Sequence, residues 1–188
     1  MDALLPAFVA AGLAEIGDRT QLLAVLLAIQ FRRPGAVLAG VAVAALANSL
    51  LAAFGGTVVH DLVNHRAIAL MLAVGLILAG AGCFWRPKPP VLATYGPIGV
   101  FGTAAVGFFI LEFGDKTQLL TLAIAARVDS FALAALGATA GIVLANTPAV
   151  LLAGEWQRRV PLRGVRAGIG ALFIVVGAVA AIGALRLN

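Results

Sequence analysis

Apolar runs follow one another along the entire chain, each long enough, at roughly 18 residues or more, to cross the ~30 Å hydrocarbon core of a bilayer as an α-helix. They leave no stretch for a soluble domain. Hydrophobic residues make up 62% of the 188 and charged residues 11%, whereas soluble domains run near half and near a quarter. Backbone groups in lipid must be satisfied by helices or closed barrels, and these runs are too long for barrel strands. The expected fold is therefore an all-α integral membrane protein with six transmembrane helices, at 4–29, 35–59, 67–85, 97–125, 131–154 and 167–186. The segments FRRPG (31–35), HDLVNHR (60–66), RPKPP (86–90), RVDS (127–130) and QRRVPLRGVR (157–166) end the helices with charge, proline and glycine. Asp2 and no basic residue precede the first run, which is unlike a cleavable signal peptide and is read as a retained span.

The formal net charge of +5 is dispersed among short loops, a pattern of membrane topology rather than of nucleic-acid binding. Arg32, Arg33, Arg86, Lys88, Arg158, Arg159, Arg163 and Arg166 fall in the loops of one face, while the other face has Arg66, Arg127 and Arg186. The positive-inside rule puts the first set in the cytoplasm and both termini outside it. Trp85 and Trp156, at span ends, read as interfacial anchors. The lone Cys83 excludes a disulfide framework and a cysteine metal site, and reads as buried filler. His60, His65, Asp61 and Asp129 read as solvated loop residues.

Charge inside two of the spans breaks this pattern. AEIGDRTQLLA (14–24) lies in the first and LEFGDKTQLLT (111–121) in the fourth, displaced by 97 residues. The alignment pairs Glu15 with Glu112, Gly17 with Gly114, Asp18 with Asp115, Arg19 with Lys116, Thr20 with Thr117 and Gln21 with Gln118. LANS (46–49) and LANT (144–147) add Asn48 and Asn146 at nearly the same offset. The chain thus reads as two repeats, 1–93 and 94–188. Each has three spans, an odd number, so the second enters the membrane from the opposite side. Inverted three-helix repeats with ion sites near the midplane are the architecture of many secondary transporters.

Six charged side chains left at helix centres in lipid would cost roughly 15–20 kcal/mol on insertion scales. They must face one another or a wet cavity. On a regular helix Glu15 and Asp18 share a face with Gln21, Arg19 stacks on Glu15, and Thr20 points elsewhere. Gly17 and Gly114 permit either an irregular helix or a close helix approach, a choice the sequence leaves open. Inverted symmetry would gather Glu15, Asp18, Glu112 and Asp115 as metal ligands, with Gln21, Gln118, Asn48 and Asn146 as neutral oxygen donors. Hard oxygen ligands suit Ca²⁺, Mg²⁺ or Mn²⁺. Arg19 and Lys116 balance two of the four carboxylates, and the two negatives left over match one divalent cation or two protons. Glu15–Arg19 and Glu112–Lys116 salt bridges are the competing structural reading for the basic residues, and interhelical hydrogen bonding is the one for the asparagines. Gly137 and Gly141 read as a packing face within the bundle.

With both motifs in view, the chain resembles the small six-helix cation/proton exchangers that include the Golgi manganese and calcium transporters and the bacterial manganese exporters. That family carries two copies of E-x-G-D-[KR]-[ST], and EIGDRT (15–20) and EFGDKT (112–117) match without departure. The resemblance implies export of Mn²⁺, with Ca²⁺ as second candidate, against protons by alternating access. It implies cation binding by Glu15, Asp18, Glu112 and Asp115, with Thr20, Gln21, Thr117 and Gln118 as auxiliaries. The chain lacks the acidic loop and N-terminal extension of eukaryotic members, so a multi-pass protein of the bacterial plasma (inner) membrane is expected. No prosthetic group and no enzymatic activity are expected; metal cation and protons are the substrates, the lipid bilayer is the surroundings, and a homodimer is left open. The rival readings are an exporter of cationic amino acids and an intramembrane aspartyl protease, whose G-x-G-D pattern would need glycine where Glu15 or Glu112 stands.

Overall fold

The computed structural model describes residues 2–85, 87, 89, 90 and 98–186, and every regular element among them is a helix. In chain order these are α1 (Leu4–Glu15), α2 (Arg19–Phe31), α3 (Pro34–Leu62), α4 (His65–Gly82), α5 (Gly99–Glu112), α6 (Lys116–Val128), α7 (Phe131–Leu152), α8 (Gly154–Arg159) and α9 (Leu162–Arg186). By length and composition α3, α4, α7 and α9 can each cross a membrane, and α1, α2 and α5 are shorter apolar helices. The four long helices fall on the second, third, fifth and sixth expected spans.

Three expectations change. The stretches 4–29 and 97–125 are each two helices rather than one. The loop expected after α7 holds the short α8, and α9 starts at Leu162, so Arg163 and Arg166 sit on a helix and not in a loop. Arg86, Lys88 and the boundary at 93/94 lie outside the described residues.

The two breaks have the same backbone. Ile16 and Phe113 leave the helix in extended conformation (φ −62°, ψ 117° and φ −65°, ψ 120°). Gly17 and Gly114 turn left-handed at φ 72° and 77°. Asp18 and Asp115 are extended again (φ −83°, ψ 172° and φ −82°, ψ 172°) and begin α2 and α6. An L-residue in the left-handed region costs about 1–2 kcal/mol, which glycine avoids for want of a Cβ. A break also frees backbone N–H groups, which must find partners in an apolar surrounding. Gln21 Oε1 accepts the Gly17 N–H at 2.9 Å, and Gln118 Oε1 accepts the Gly114 N–H at 2.7 Å. Each motif therefore encodes the break, its satisfaction four residues on, and an acid on either side.

Close backbone approach holds the helices around these breaks. Gly12 of α1 faces Gly141 of α7, and Gly137 abuts the Leu4 backbone, so the expected Gly137/Gly141 face packs within the bundle. Gly40 and Gly56 let α3 lie against the backbones of α5 and α6. Gly80 and Gly170 bring α4 onto α9, with a carbonyl of each over the Cα of the other. Helices in lipid gain little from apolar burial alone, so such small-residue seams supply the packing. Cys83 is buried and free.

Candidate functional site

Glu15 and Glu112 are the last residues of α1 and α5, and Asp18 and Asp115 the caps of α2 and α6. Half-helix ends inside a bundle present backbone charge of both signs to an ion, carbonyls from one half and N–H groups from the other. Asp18 Oδ1 accepts the Arg19 N–H at 2.8 Å. Asp115 has no such side-chain cap bond.

Glu15 is fully buried. The Thr20 hydroxyl donates to its Oε1 at 2.6 Å and Asn146 Nδ2 donates to the same oxygen at 3.1 Å. A regular helix would point Thr20 away; the break at Gly17 turns it back onto Glu15. Arg19 does not stack on Glu15 but is exposed, although its charge is felt at Asp115. Glu112 is buried within the electrostatic reach of both Glu15 and Asp115.

Lys116 departs most from the sequence reading. Its ammonium pairs with Asp18 of the other motif and lies 3.9 Å from Asp115, so it bridges the two aspartates and not Glu112. The acids are thereby divided into a glutamate pair and an aspartate pair sharing one cation. Among the described residues no three His, Cys, Asp or Glu side chains are grouped to hold a metal ion. The oxygens that stand free are of mixed chemistry. Glu15 Oε2, both carboxylate oxygens of Glu112, Thr117 Oγ1 and Asn146 Oδ1 are buried without a hydrogen-bond partner. Every one can accept, and such groups are rarely left orphaned in folded proteins.

The remaining expected residues divide by role. Gln21 Nε2 donates to the Ala145 carbonyl at 2.8 Å while its Oε1 is taken by the Gly17 N–H, so this side chain holds the break to α7. Gln118 does the same less tightly, reaching Asn48 at 3.5 Å. Asn48 donates to the Phe109 carbonyl at 3.2 Å, an interhelical bond, whereas its counterpart Asn146 reaches the carboxylate.

Two residues that sequence spacing did not single out touch the site. Trp156, expected as an interfacial anchor, donates its indole N–H to Gln21 Oε1 at 3.3 Å. Arg166, expected in a loop, donates to the Gly17 carbonyl at 3.3 Å. Neither position has a marker in the motifs, because each arrives by tertiary packing. His60 also differs from its solvated reading: its Nδ1 bonds the Ala126 carbonyl at 2.7 Å, and Nε2 is 3.9 Å from Asp129.

The two breaks differ in access. A cavity of about 410 Å³ is lined by Leu51, Phe113, Gly114, Asp115, Gln118 and Leu122, so it reaches the aspartate of the second motif. The first break borders a cavity of about 520 Å³ at Gly17, but Asp18 is buried and does not line it.

The family described as divalent cation/proton antiporter GDT1 matches residues 3–89 and 100–187. The chain belongs to this family. A protein of Vibrio cholerae serotype O1 named "Putative manganese exporter" is 36% identical over 184 residues, covering 94% of this chain and 88% of the relative. No solved structure matches. The chain is thus a membrane transport protein of the antiporter class and not an enzyme, which removes the protease reading. The two GDT1 matches each contain one E-x-G-D motif.

Proposed function

We propose that the protein exports Mn²⁺ from a bacterial cytoplasm across the plasma membrane in exchange for protons, with Ca²⁺ as second substrate. The observation that carries this is the set of five buried, unpartnered oxygens on Glu15, Glu112, Thr117 and Asn146. Carboxylate, hydroxyl and amide oxygens are hard ligands of the kind Mn²⁺ and Ca²⁺ accept. An exporter of cationic amino acids would place donors as well as acceptors around its cargo, since the α-amino and carboxylate groups need both.

In this reading the first and fourth spans are the broken helices α1–α2 and α5–α6, and the chain is a pair of inverted three-span repeats. The near-identical dihedrals of the two breaks and the double family match support it. Glu15 and Glu112 hold the cation between the repeats. Asp18 and Asp115, bridged by Lys116, form the charged layer beside it. When the cation leaves, protons on the carboxyl groups keep the buried charge balanced. The repeats rock about this layer, exposing it to one side at a time.

Metal flux in proteoliposomes under imposed pH gradients tests the proposal. Mn²⁺ should move against the proton flow and reverse when the gradient is reversed, with lysine not transported. Flux indifferent to the gradient would refute exchange, and lysine transport would favour the amino-acid reading.

A further inference from the structure

Both breaks border a cavity, but only the second presents its aspartate to it, and at the first a single side chain lies over the glycine. Arg166, half-buried in the first turns of α9, donates to the carbonyls of Gly17 at 3.3 Å, Gly82 at 3.4 Å and Trp85. It therefore ties the break in the first span to the end of α4 and the segment after it. Its alkyl chain lies directly on the glycine: a Cβ built at Gly17 would stand 2.8 Å from Arg166 Cδ, with Leu162 next to it. A Cβ at Gly114 would meet nothing within 4 Å among the described residues.

The cavities show the same asymmetry. That on the Gly114 side is lined by Asp115 and Gln118 themselves. On the Gly17 side a cavity of about 520 Å³ is lined by Gly17, Leu22, Val160, Leu162, Arg163 and Arg166 among others, and by no carboxylate. Two arginines and no acid make a poor path for a cation. At the 97-residue offset of the motifs, the position matching Arg166 is Ala69. The first repeat has no cationic counterpart at this place.

We propose that Arg166 is the gate on the Gly17 side, a positioning residue that shuts the first break by binding its carbonyl while the second stays accessible. The inference rests on the alternating-access reading above. Opening requires the guanidinium to release Gly17, so the gate acts through backbone carbonyls and not through the cation ligands.

The test is thiol accessibility in detergent-solubilised protein with Cys83→Ala. Leu22→Cys reports the Gly17-side cavity and Leu122→Cys the Gly114-side cavity. Adding Arg166→Gln should raise the labelling rate at position 22 about tenfold and lower it at position 122, as a shift between two states demands. Arg166→Lys, which keeps the charge but not the planar fork, should give a smaller shift in the same directions. If Arg166→Gln does not fold, that lysine variant decides. An unchanged rate at position 22, or rates rising together at both positions, would overturn the gate. Labelling needs no flux, so absence of Mn²⁺/H⁺ exchange in the parent protein would refute the transport reading and leave this result standing.

Discussion

Glu112 and Glu15 occupy equivalent motif positions in unequal surroundings. Glu15 receives two well-formed hydrogen bonds, from Thr20 and Asn146, while Glu112 has the Thr117 hydroxyl beside it and no bond of good geometry to either oxygen. A buried acceptor left unpaired costs about 1–3 kcal/mol, and more if charged. Glu112 is thus the less stable of the two without cargo, and the one a cation would relieve most. Glu112→Gln should abolish Mn²⁺ flux and, in metal-free detergent, raise the melting temperature by about 2–4 °C, as expected for ~1 kcal/mol in a chain of this length. Glu15→Gln should abolish flux with no such gain, because the buried Glu15 carboxylate is already compensated by two hydrogen bonds and neutralising it relieves less. Thermal melts of both variants beside flux assays check this. Near-normal flux in either would remove that glutamate from the site, and a less stable Glu112→Gln protein would contradict the unpaired-acceptor argument.

At the level of elements, the positions of α3, α4, α7 and α9 follow from hydropathy and loop residues to within a few positions, and pairing Glu15 with Glu112 and Asn48 with Asn146 marked both motifs. The breaks were legible only as one of two open readings of Gly17 and Gly114. Hydropathy averages over composition, and a glycine in an apolar run serves a tight helix seam as well as a left-handed turn; Gly80 does the first and Gly17 the second. The Glu15–Arg19 and Glu112–Lys116 pairs of the competing reading assume regular helices, and the break changes where residues four apart point. The sequence did hold one clue, a glutamine four residues after each glycine, whose role as acceptor for the freed N–H emerges only once the break is known. The breaks also make a graded prediction. Gly114→Ala should cost about 1–2 kcal/mol for a left-handed alanine. Gly17→Ala bears the same strain and must also displace Arg166, so it should be the more destabilising of the two. Comparing their thermal unfolding decides; equal losses would mean that Arg166 yields without cost.

For the whole molecule, the direction of transport depends on which end of the bundle faces the cytoplasm. Arg32, Arg33, Arg158, Arg159 and Arg163 are exposed at the ends of α2, α8 and α9, and the positive-inside rule retains such residues in the cytoplasm. Arg66 and Arg127 mark the opposite end, where α3 meets α4 and α6 ends. Arg166 belongs to the arginine-rich end by its place on α9. In this orientation the shut break faces the cytoplasm and the Asp115 cavity opens outward, the state in which an exporter has released its metal and takes up protons. Single cysteines in a Cys83→Ala background test the orientation in intact cells. Leu62→Cys, at the exposed end of α3, should react with a membrane-impermeant maleimide added outside. Gln30→Cys, exposed near the end of α2, should react only after the membrane is permeabilised. The reverse pattern would turn the bundle over, so that the open cavity faced the cytoplasm and the same conformation would be the one that loads metal.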